Sequence, residues 1–237
     1  MSKSIVRLHD KKLWRRLSWL SSIAGVAYAS WPLGYIFNPS ASKQGLASAL
    51  EALNQPYNWV FIALDIVSSV LILFIALKIW QKNIKSIHSK FIDVIVANIA
   101  LFSFGTIADT ILPEHCLPGA ASCPSWHQDH MLLLHGIFSI IAAINLFIII
   151  LIIWWHKREK LLYFMLVGYS IFALLSLYEA VSPISGNFSQ HYYLTLCGIW
   201  IAFIPYSIRY AFFVDDYVPS ESKKSKSESS SGKKPLG

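Results

Sequence analysis

The densest group of chemically capable side chains lies in the run ADTILPEHCLPGAASCPSWHQDHMLLLHG, which begins at Ala108. Asp109, Glu114, His115, Cys116, Cys123, His127, Asp129, His130 and His135 fall within it. Each of these groups can bind a metal or move a proton. Asp65, Glu179 and, at an edge, His191 stand in other apolar stretches. An ionisable group inside lipid is costly, so each is a candidate for function. Two chemistries suit these residue types. Imidazole and carboxylate ligands hold zinc, which with one open position lowers the pKa of its water to about 7. A carboxylate buried away from water becomes a stronger base.

Spacing narrows the choices. His127-x-x-His130 places two imidazoles at neighbouring helical positions, and His135 is then turned well away from His130. Those three cannot all ligate one metal from a regular helix. The candidate metal set is therefore His130 or His135 with Asp109 and a carboxylate from another segment, with zinc as the possible cofactor. Asp65 and Glu179 are the candidate general bases, and Glu51 and His191 the candidate binding residues. A plainer alternative places these groups in headgroup water, with Asp65 and His135 as a structural pair. The chain has no HExxH, nucleophile elbow, P-loop or dinucleotide fingerprint.

The elements that must position these residues are membrane spans. Apolar residues make up 55% of the 237 and charged ones only 14%, too few to cover a soluble globule. Nine Trp, eleven Tyr and fourteen Phe suit anchoring at two lipid interfaces. Apolar runs fall at about 17–37, 59–80, 91–112, 131–155, 161–181 and 192–213. Each is long enough to span. The fold class expected is an all-α polytopic membrane protein, a bundle of six transmembrane helices. A cleaved signal peptide competes for the first run, with Ala27-Tyr28-Ala29 as the cut. Apolar residues continue past that triplet through Phe37, which favours an uncleaved helix.

The net charge of +7 is distributed by side. Lys11, Lys12, Arg15 and Arg16, the 81–90 turn, the 156–160 turn and the tail share one face. The connections 38–57, 113–129 and 183–190 share the other and hold only Lys43. That asymmetry puts both termini in the cytoplasm of a cell-membrane protein. It points to membrane lipid as the partner and away from nucleic acid. The expected organisation is a basic N-terminus over 1–16, a membrane domain over 17–213 and a disordered tail over 214–237. Leu46, Leu50 and Leu53 recur at helical spacing, so a short interfacial helix is expected within 38–57. In an extracytoplasmic loop a Cys116–Cys123 disulfide is permitted, and Cys197 reads as an inert packed thiol.

At ~1.5 Å of rise per residue, Asp65 lies about two turns below the outer end of its helix. Asp109, Glu179 and His135 lie about one turn in or less, and His191 at the mouth. All five should therefore share the outer part of the membrane. Asn98, Phe102, Gly105 and Asp109 fall on one helical face, where Gly105 would admit a neighbour or ligand close to Asp109.

Two stretches carry a resemblance: SALEALNQPYNWVFIALDIVS from Ser48, and ADTILPEHC…C…HQDHMLLLHG from Ala108. On them the chain resembles the bacterial and archaeal six-span membrane family catalogued as domain of unknown function 998. The likeness covers most of residues 18–213. It implies six helices and draws attention to Glu51, Asp65, Asp109, Cys116, Cys123, His130 and His135, without supplying an activity. A looser likeness is to the seven-helix transmembrane hydrolases that include alkaline ceramidases and adiponectin-receptor-like proteins. Ser103, Asp109, His130 and His135 echo their Ser, Asp and His zinc site, but the chain lacks a seventh span and a His-x-x-x-His pair in its last helix. Three functions remain open: binding of a lipid or small molecule in an outer pocket, metal-dependent hydrolysis of a lipid or amide, and proton-coupled transport through Asp65 and Glu179.

Overall fold

The structure is a computed structural model that describes residues 3–39, 47–112, 130–181 and 189–213. Every regular element among the described residues is helical. The order is α1 (Lys3–Tyr28), a 3₁₀ turn (Trp31–Leu33), α2 (Gly34–Phe37), a 3₁₀ turn (Ala47–Glu51), α3 (Asn58–Ser86), α4 (Lys90–Thr110), α5 (His130–Lys157), α6 (Lys160–Val181) and α7 (Ser189–Phe212). Five of these, α3 to α7, are long and apolar enough to cross a membrane. Their bounds follow the apolar runs within a few residues.

The first run behaves differently. It is not one helix over 17–37: α1 starts far earlier, at Lys3, and ends at Tyr28. Pro32 has no N–H to continue the ladder, so the chain tightens into the 3₁₀ turn before α2. From Trp14 onward one face of α1 is inside the bundle, with Trp14, Leu17, Ser21 and Ala24 buried at spacings of three and four. Trp19, Ile23 and Val26 point outward from the same helix and are exposed.

Two devices clamp α1 in place. Small residues let backbones meet: Gly25 of α1 and Ala29 just past its end face Gly198 and Ala202 of α7. A Cβ on Gly25 would run into the Gly198 carbonyl oxygen, and one on Gly198 would lie 2.7 Å from the Ala29 Cβ. Serine hydroxyls then tie backbone to side chain. Ser68 donates to the Ala24 carbonyl at 2.9 Å, and Ser21 donates to the Ile201 carbonyl. Without water to compete, small-residue contacts and such hydrogen bonds carry helix association in lipid.

The helices alternate in direction. Trp14 midway along α1 meets Phe213 just past α7, and His156 at the end of α5 stacks on Phe212 and faces Phe91 at the start of α4. The basic turns lie at this end. There α3 and α5 stop at His88 and Arg158, both in the left-handed region with φ 55°. The conformation is unusual for a side chain with a Cβ. Local bonds hold it: Asn83 donates to Ser89 and Asp93, and the Arg158 guanidinium lies 4.0 Å from the Trp155 ring centre.

Large apolar side chains cover the outside of the bundle. Leu161, Phe164 and Leu174 on α6 are each about 70% exposed (71%, 68% and 68%). A soluble monomer rarely presents apolar surface so continuously. The centre is packed by Ile72, Ile79, Ile95, Ile99, Leu146, Ile149 and Trp200.

The connection between α2 and α3 departs from expectation. Its described part is not an interfacial helix with Leu50 and Leu53 on one apolar face. Leu50 is buried against Phe61 in the 3₁₀ turn, while Leu53 is 54% exposed. The turn is pulled into the bundle, because the Asn38 amide bonds Gln55 at 2.8 Å and draws the two ends of the segment together. Leu46, the Cys116–Cys123 pair and the tail over 214–237 lie outside the described residues.

Glycine substitutions test the packing. Gly25→Leu should lower the thermal midpoint in nanodiscs steeply, costing more than the ~1–3 kcal/mol of ordinary overpacking because backbone blocks the side chain. Gly136→Ala, with open space around the new Cβ, should raise the midpoint, adding up to ~1 kcal/mol of stability.

Candidate functional site

The end of the bundle opposite the basic turns holds a cavity of about 80 Å³, room for a few water molecules. Each wall follows from helical phase. Phe61 and Asp65 are four apart on α3, Thr106 and Asp109 three apart on α4, and His135 and Ser139 four apart on α5. Gln190 and Leu194 face it from α7, and Tyr28 from α1. Ser30 and Trp31 close the α1 side, and Ser48 and Glu51 come from the 3₁₀ turn above.

Gly105 makes the central contact possible. A Cβ there would sit 3.1 Å from the Phe138 carbonyl and 3.2 Å from the Ala142 Cβ, so α4 and α5 touch nearly backbone to backbone. Ser139 consequently reaches Asp109, donating to its Oδ2 at 2.8 Å, while Thr110 donates to Oδ1 at 3.3 Å. His135 Nδ1 lies 2.9 Å from the Asp109 backbone carbonyl. A carbonyl only accepts, so Nδ1 carries the proton and Nε2 is the basic nitrogen of that ring. Across the cavity, Asp65 of α3 and Glu51 of the 3₁₀ turn line the same space. Asp109 is close enough to Asp65 for their charges to interact.

Four candidate residues, Glu51, Asp65, Asp109 and His135, therefore line one cavity. His191 stands just behind it, buried, with its ring 4.5 Å from that of Trp31. Two other candidates are placed elsewhere. Glu179 accepts from the Ser189 backbone N–H at 3.0 Å and its hydroxyl at 2.8 Å, which caps α7. His130 is exposed at the first residue of α5. Five residues separate it from His135, about 140° around the helix, so the two rings cannot face one site. Among the described residues no three His, Cys, Asp or Glu side chains gather to hold a metal ion. The set Asp109, His130 and His135 is thus not assembled, and Cys116 and Cys123 lie outside the described residues.

Several polar residues at the site were invisible as candidates. Ser139 could have been found, since it stands one turn from His135. Tyr28, Thr106 and Gln190 carry no local signal. Deeper in the bundle, Tyr169 donates to the Ala143 carbonyl at 2.8 Å and meets the Tyr193 hydroxyl at 2.7 Å. Cys197 is a free thiol buried in the same core cluster as Tyr169, with Tyr193 packed against it.

Residues 15–214 match the family described as "Protein of unknown function (DUF998)". The chain belongs to this family. The DUF998 match begins within α1 and runs past the end of α7, so the cavity and every residue lining it lie inside the DUF998 region. No curated protein and no solved structure matches the chain.

The geometry separates two carboxylates by role. Glu179→Ala should cost ~1 kcal/mol of thermal stability through the lost cap of α7. Ser139→Ala should cost a similar ~1–2 kcal/mol by stripping Asp109 of a buried donor. In nanodiscs, only the Ser139 variant should also alter the environment of Tyr28, read by near-ultraviolet circular dichroism.

Proposed function

We propose that this protein is a six-span cell-membrane protein, with both termini cytoplasmic, whose outer cavity binds a small polar molecule or a lipid headgroup. The sixth span is α1 from about Leu17, whose inner face packs in the core while Trp19, Ile23 and Val26 point toward lipid. Orientation rests on charge. Lys82, Lys85 and Lys90, and Lys157, Arg158 and Lys160, flank the turns at one end, whereas no Lys or Arg lines the cavity at the other.

One observation carries the binding role: Glu51, Asp65, Asp109 and His135, drawn from four elements, line a single cavity at the end away from the basic turns. Lipid would penalise these groups anywhere else, and here they have each other and room for a guest. At about 80 Å³ the space suits a headgroup or a small solute, not an acyl chain. Transport would need polar groups continuing to the opposite end. Asn98 and Asn145 instead spend their side-chain amides on carbonyls of their own helices, at 2.8 and 2.7 Å. Metal-dependent hydrolysis would need a ligand set that the described residues do not bring together.

Native mass spectrometry of protein released directly from membranes should show a bound small molecule or lipid at near-stoichiometric level. Asp109→Asn should reduce it at least ~10-fold, as expected when a charged partner worth ~1.5–3 kcal/mol is removed. Equal retention by both would refute the assignment of the site. For orientation, Asn54→Cys in a Cys116→Ser/Cys123→Ser background should react with an impermeant maleimide on intact cells, and a cysteine in the tail should not.

A further inference from the structure

We infer that α7 is a hinged helix: Pro205 divides it into an outer limb (189–204) and an inner limb (206–212), and the Ser21 hydroxyl of α1 is the pin that holds the two in line. Pro205 has no N–H, and its ring crowds the carbonyl four residues back. The Ile201 carbonyl is therefore left without a ladder donor. Ser21, buried on the inner face of α1, donates to that carbonyl. In hydrocarbon, a carbonyl freed by proline must be satisfied by a neighbouring helix or a side chain.

A serine on a helix has a nearer acceptor available. Ser22, next in sequence, takes it, donating to the Ser18 carbonyl one turn back at 3.0 Å. Ser21 instead reaches across to the α7 carbonyl that proline leaves open.

The two limbs are held by different neighbours. The outer limb is tied to the α1 side and to α6. Trp31, just past α1, donates its indole N–H to Thr195 at 3.0 Å, Gly25 meets Gly198, and the Tyr193 and Tyr169 hydroxyls lie 2.7 Å apart. Gln190 and Leu194 put this limb in the cavity wall. The inner limb is tied to the turn between α5 and α6. Phe212 stacks on His156 with ring centres 4.5 Å apart, and Tyr210 donates to Glu159 at 3.0 Å. Just past the limb, Phe213 meets Trp14 of α1 edge to face. Release of the pin lets the inner limb pivot with the α5–α6 turn while the cavity wall stays with α1. The hinge does not depend on what the cavity binds.

Hydrogen–deuterium exchange of the full chain in nanodiscs tests this, read in peptides from both limbs. Ser21→Ala should speed exchange over 206–212 by roughly 5-fold or more, as loss of one buried hydrogen bond requires. Exchange over 190–199 should stay within ~2-fold of the wild type. Pro205→Ala restores an N–H for the Ile201 carbonyl. In that background Ser21→Ala should change exchange over 206–212 by less than ~2-fold. A Ser21→Ala chain too unstable to reconstitute should be rescued by Pro205→Ala, and failure of that rescue would overturn the pin. Equal acceleration in both backgrounds, equal acceleration of both limbs, or no response to Ser21→Ala would each do the same.

Discussion

Hydrocarbon gives a polar side chain nothing to bond with, so every such group within this bundle must find its partner in the protein. Asp109 shows how much structure that demands. Its carboxylate accepts from Ser139 and Thr110, and its carbonyl from His135. Two of those three donors come from the neighbouring helix. They arrive only because Gly105 presents no side chain to α5. Remove the close approach and a carboxylate is stranded in lipid; keep it and the rim of a cavity follows.

The same constraint acts along the rest of the molecule with different residues. Ser21 and Ser68 spend their hydroxyls on backbone of adjacent helices, and Gly25 with Gly198 lets α1 lie close enough for that. Tyr169 and Tyr193 satisfy each other in the bundle interior. Glu179, a candidate base in the sequence, instead supplies the acceptor that the start of α7 lacks. Apart from Ser69 Oγ and Trp200 Nε1, buried without a hydrogen-bond partner among the described residues, these polar groups fall into two kinds: those consumed in joining helices, and the smaller set left facing a common space.

That smaller set is acidic. Three carboxyl groups and one imidazole border a volume the size of a few waters, with aromatic rings from Tyr28, Trp31 and Phe61 beside them. Such an arrangement is stable only if its charge is reduced, through protonation or through a bound partner. Protonation and occupancy are thus alternative answers to one electrostatic problem.

Helix positions were legible in the chain because bilayer thickness dictates the length of an apolar run, and α3 to α7 follow those runs closely. That Asp65, Asp109 and His135 lie at one end of the bundle was legible, since rise per residue converts sequence distance from a helix end into depth. Rotation about each axis was not. Ser139 and Glu179 lie at comparable depth, yet one faces the cavity and the other caps a helix, a difference set by which neighbour each helix packs against. Nor could the first run reveal that α1 breaks at Tyr28, or that Leu50 turns inward on Phe61, because short-range pattern cannot report a distant partner. Depth is a property of one helix and so is written in sequence. Facing is a property of two, and only the tertiary structure decides it.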